Sequence, residues 1–81
     1  MTILWHLVKQ STPDYGETTE VIVNAETATD ARILTGKYMR ENGQPSTAFD
    51  WVDADLTTIR SIGTADAGEN LGVVITKESP N

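Results

Sequence analysis

The sequence has no cysteine, one histidine, and only six basic residues against twelve acidic ones. Without cysteine there is no disulfide framework, no thiolate nucleophile and no sulfur-ligated metal. A single imidazole leaves too few nitrogen ligands for a transition-metal site. The net charge of −6 argues against nucleic acid as a direct partner, because phosphate binding relies on clustered Lys and Arg. No apolar run approaches the ~20 residues of a membrane span. The amino-terminal MTILWHLVKQ lacks the basic stretch and small-residue cleavage site of a signal peptide. These absences lead to the expectation of a cytoplasmic protein with no membrane contact.

What is present is enough for one small domain. The 81 residues fall short of the roughly 100–200 typical of a domain, so two are excluded. A chain this short buries only about 60% of its unfolded surface, and its core must be thin. The expectation is a single domain over residues 1–78 and a polar tail at 79–81.

The apolar patterning predicts four strands and one helix. Ile3 to Gln10 alternates Ile3, Trp5 and Leu7 against Leu4, His6 and Val8, apolar on both faces as in an interior strand. The turn residues of 11–16, with Pro13 and Gly16, then make a hairpin loop. Glu17 to Ala25 is one-sided, with Val21, Val23 and Ala25 opposite Glu20 and Asn24, and should be half-buried. Thr27 and Asp30 have capping-box spacing. From there Ala28, Ala31, Leu34, Thr35 and Tyr38, with Met39 alongside, form a narrow apolar stripe that ends before Gly43. Gly36 within this stripe either allows close packing or ends the helix early, because glycine costs ~1 kcal/mol in a helix interior. Residues 44–55 read as an irregular loop. Thr57 to Ile62 and Leu71 to Lys77 supply the last two strands, separated by a loop at 63–70. The fold class is α+β, a four-stranded, mainly antiparallel sheet of β-β-α-β-β order with one helix packed on one face. Because the first and last strands are apolar on both faces, the predicted strand order is 2-1-4-3.

Catalytic constellations are sparse. His6 lies inside a strand between Trp5 and Leu7, where a packed histidine is favoured over a general base. Asp50, Asp53 and Asp55 cluster closely enough to suggest acid and base work or a hard cation. A polar setting should leave them ionised, however, and the run from Asp53 has Thr58 where a calcium loop needs its glycine. No phosphate-binding glycine motif occurs. The expectation is therefore no catalytic residues, no bound metal and no cofactor.

The remaining features concern protein contacts. Phe49 and Trp51 among Asp50, Asp53 and Asp55 have the composition of an aromatic anchor inside an acidic rim. Tyr15, at the tip of the first loop, joins them as a candidate partner-binding residue. Closing the end of a thin core is the favoured role for Trp51 itself, since large aromatics are usually well buried.

Val21-Ile22-Val23-Asn24-Ala25 leading into Thr27 and Ala31-Arg32, then Trp51, Ile62-Gly63 with Ala65, and Gly72-Val73-Val74-Ile75 form an arrangement spread over most of the chain. It resembles short uncharacterised proteins of tailed bacteriophages and prophages. The resemblance implies a small α+β protein of the host cytoplasm and brings no site residues with it. Three functions compete: an accessory protein binding a host or phage protein, with a basic one suited to the acidic surface; a virion or assembly component that forms homodimers or larger oligomers through sheet edges; and a small metal-dependent hydrolase using the 50–55 carboxylates.

Overall fold

The computed structural model describes residues 2–10, 17–44, 48–65 and 71–78. In chain order these form β1 (Thr2–Lys9), β2 (Thr18–Ala25), α1 (Ala28–Glu41), α2 (Ala48–Val52), β3 (Thr57–Ala65) and β4 (Gly72–Glu78). The strands make one antiparallel sheet in the order β3-β1-β2-β4, and α1 packs against it as expected. Tyr15, the 79–81 tail and most of the 63–70 loop lie outside the described residues, while 63–65 continue β3.

The predicted strand order needs correction. β1 is interior, but its companion is β2, and β4 is an edge strand. β3 and β4 lie on opposite edges, so they do not form the second hairpin. Apolarity on both sides signals an interior strand only where both sheet faces are covered, and here one face has no covering element among the described residues. Ile75 of β4, paired with Ile22, is exposed on that face, and Val74 beside it is exposed at a register slip. β2, despite Glu20 and Asn24, has most of its residues buried.

Register follows the alternation of β1. Leu7 faces Val21 and Ile59 across its two neighbours, and Trp5 faces Val23 and Ser61. This odd-numbered set points to the helices. The buried core consists of Leu7, Val21, Val23, Ala25, Ala31, Met39, Ala48 and Trp51. The register slips opposite Leu4/Trp5 in β3 and at two places between β2 and β4. One of these slips lies between Thr18 and Glu20. There Thr18 is buried and exchanges hydrogen bonds with the Gln44 side chain, which locks the start of β2 to the end of α1.

Local chemistry sets the limits of α1. The Thr27 hydroxyl accepts from the Asp30 amide at 3.1 Å, satisfying one of the free amides of the first turn. At the other end Gly43 has φ +83°, and the Gln44 amide donates to the Met39 carbonyl at 2.9 Å. That is the six-to-one bond of a Schellman motif, with glycine in its left-handed position.

The helix runs unbroken through Gly36, and α2 explains why. A Cβ at Gly36 would stand 3.1 Å from Val52 Cγ2 and 3.2 Å from the Ala48 carbonyl oxygen. Gly36 therefore permits α2 to lie directly on α1. The segment expected to be an irregular loop contains this second helix. A five-residue helix gains little from its own hydrogen bonds, so α2 depends on docking through Ala48 and Trp51.

Candidate protein-contact surfaces

The segment 49–55 divides by the environment of each residue. Trp51 is fully buried; as a candidate contact residue it is corrected to a core residue, because α2 turns it onto β1. Its indole nitrogen has no acceptor among the described residues. Phe49, on the other side of α2, is 69% exposed. Val52 lies one helical turn further on, also exposed, and Ile33 is exposed on α1, one turn before Gly36.

The three aspartates are not equivalent. Asp50 receives the ammonium group of Lys9 at 3.0 Å, and the same nitrogen binds the Glu17 carboxylate. The Lys9 side chain is only 2% exposed, so this triad ties α2 to the end of β1 and the start of β2. Asp53 accepts from the Asp55 amide at 2.8 Å, which forms a local turn. Its carbonyl accepts from the amides of Leu56 and Thr57. Asp55 is exposed. Two of the three carboxylates thus hold structure, and among the described residues no group of three or more His, Cys, Asp or Glu could hold a metal ion.

Arg32 completes this end of the molecule. Its guanidinium donates to the Thr57 hydroxyl at 2.7 Å and the Thr57 carbonyl at 3.0 Å, with longer contacts to the carbonyls of Trp51 and Asp53. A cation over the last carbonyls of a helix both satisfies acceptors and complements the helix dipole. Arg32 of α1 is thus committed to positioning α2.

Among the described residues, no helix packs on the opposite face of the sheet. The even-numbered positions of β1 and β2, with their register partners on β3 and β4, place Leu4, His6, Val8, Glu20, Ile22, Arg60 and Lys77 on this face. Ile75, opposite Ile22, is 60% exposed on it, while Ile62 and Val74, 47% and 57% exposed, stand at the register slips of the two edge strands. Ile75 adjoins half-buried Ile22 of β2, and exposed apolar groups rimmed by polar ones are a common mark of protein contact. A shallow groove of about 290 Å³ runs along His6, Val8, Thr58, Ile59 and Arg60.

A polar line crosses this apolar surface. His6 Nε2 donates to Glu20 Oε1 at 2.8 Å, and Lys77 Nζ lies 3.4 Å from the other oxygen. The hydrogen bond from His6 holds the Glu20 carboxyl below its ordinary range, partial burial opposes this, and Lys77 adds to the lowering. An ionised Glu20 can only accept, which assigns the proton on Nε2 to His6. Arg60 stands beside His6 in the register. Sequence reasoning recognised His6 as a packing residue but missed this face. The signal was present in the exposed-phase residues of four strands, and only the strand order shows that they adjoin.

No family model, curated protein or solved structure matches the chain at a significant level.

Proposed function

We propose that this chain is a non-catalytic protein-binding module whose contact surface is the uncovered face of the sheet. The observation that carries this reading is the exposure of Ile75 beside half-buried Leu4, Val8 and Ile22, on a face with no covering element among the described residues, with exposed Ile62 and Val74 at the register slips of the two edge strands. A thin domain stabilises itself by burying apolar surface, and branched side chains left in water at this density are accounted for by a partner that covers them. The resemblance to small phage proteins makes a host or phage protein the expected partner.

The test is affinity purification of a tagged copy from host cells, alongside Ile75→Asp and Phe49→Asp variants with unchanged circular dichroism. Loss of the captured protein with Ile75→Asp alone supports the sheet face. Loss with Phe49→Asp alone would transfer the contact to the helical layer and refute this assignment. A second reading, assembly through sheet edges, draws on β3 and β4 both being edge strands. Their irregular registers blunt such pairing. Sedimentation at several concentrations distinguishes it, since edge assembly requires self-association.

A further inference from the structure

The chain is acidic, but the uncovered face is not. Of the six basic and twelve acidic residues, this face holds two basic ones, Arg60 and Lys77, and one acidic one, Glu20, among the described residues. Glu20 is already engaged by His6 and Lys77. Arg60 and Lys77 sit on β3 and β4, the two outer strands. Three inter-strand spacings of ~4.8 Å put those strands about 14 Å apart.

We infer that the occupant of this face is an acidic amphipathic helix of a partner protein, its apolar stripe flanked on both sides by carboxylates. This rests on the sheet face being the contact surface, and it names the chemistry of the partner. A helix with side chains is ~10–12 Å across, so one lying along the strands covers β1 and β2 while its flanks reach the outer strands. Its apolar stripe packs on Leu4, Val8, Ile22 and Ile75. Carboxylates on its two sides meet Arg60 and Lys77. The His6–Glu20 pair beneath is bonded at 2.8 Å and already partly buried, so little remains to be desolvated. A second copy of the chain fits poorly: it would set a like-signed face against this one and leave no carboxylate for Arg60. The global acidity that suggests a basic partner applies to the helical layer, and the sheet face reverses the sign.

The probe is a set of synthetic 18-residue helical peptides with one leucine stripe, flanked by Glu, Gln or Lys, titrated against the full chain by fluorescence anisotropy. The Glu peptide should bind most tightly and weaken as salt rises. Arg60→Glu with Lys77→Glu should lower its affinity about tenfold, as expected for two exposed ion pairs converted to repulsions. The same double variant should prefer the Lys peptide. Ile75→Asp should weaken all three peptides. Equal binding of the Glu, Gln and Lys peptides, each still lost with Ile75→Asp, would overturn the acidic partner and leave the face as the contact surface. Binding of no peptide, or binding indifferent to Ile75→Asp, would overturn both.

Discussion

Replacing Lys9 should expose how much of the domain depends on one buried charge. Its ammonium lies 3.0 Å from Asp50 and also binds Glu17, with the side chain almost wholly enclosed. At an effective dielectric of about 20, attraction at that distance is on the order of 5 kcal/mol. Desolvation of the ammonium offsets much of it, so the intact triad contributes little net stability. Removing only the lysine is different. Lys9→Ala deletes three buried methylenes, about 2 kcal/mol, and leaves two carboxylates facing each other. Both reach water in part, which limits the damage, and the expected total is about 3–5 kcal/mol. A chain of 81 residues has only about 4–12 kcal/mol to lose. Urea denaturation followed by circular dichroism at pH 7 should therefore show Lys9→Ala losing about a quarter or more of its stability. Lys9→Met keeps most of the volume and should lose less, and adding Glu17→Gln and Asp50→Asn to it should recover most of the loss. A Lys9→Ala midpoint corresponding to less than about 1 kcal/mol of destabilisation would refute the reasoning and mean that Lys9 reaches solvent.

Three further outcomes are expected. Gly36→Ala gains ~1 kcal/mol of helix propensity but crowds Val52 and the Ala48 carbonyl, so urea midpoints should show a net loss of about 1–2 kcal/mol. Adding Val52→Ala should relieve part of it, and a stabilised single variant would disprove the close helix contact. Trp51→Ala should cost about 3–5 kcal/mol and Phe49→Ala less than about 0.5 kcal/mol, read from thermal unfolding; similar costs would contradict their opposite burial. Glu20 has its folded pKa lowered, so its stabilising contribution is present above the ordinary carboxylate value near 4.5 and disappears as pH falls through the lower folded value. The stability difference between wild type and Glu20→Gln should accordingly be constant around neutrality and shrink in acid; a difference independent of pH down to about 3 would break the link to ionisation.

Some of the fold was legible because its causes are local. The β1–β2 hairpin followed from alternation on either side of a turn-rich segment. The limits of α1 followed from the Thr27 hydroxyl and from Gly43, each acting within one helical turn. The α2 segment was not legible, since Ala48 to Val52 has little intrinsic reason to be helical. What holds it comes from elsewhere in the chain: the absence of a side chain at Gly36, the guanidinium of Arg32 and the ammonium of Lys9. The candidate cluster at 49–55 was correctly seen as a change in composition. Its division into a buried Trp51, a paired Asp50 and an exposed Phe49 depends on how α2 is turned, and that is set by its neighbours.

By itself the sequence determined an α+β domain without cysteine chemistry, its elements nearly in full, and a surplus of negative charge. Tertiary structure decided the strand order, and through it which residues share the uncovered face. Periodicity tells each strand which side chains lie together, but not which strand lies beside it. Pairing β2 with β4 and β1 with β3 moved the branched residues of β4 from the expected interior to an edge, and lined up Arg60, His6, Glu20 and Lys77 across four strands. A composition rich in acid thereby gained one face with a basic excess, because net charge is a sum over residues and recognition depends on where they meet.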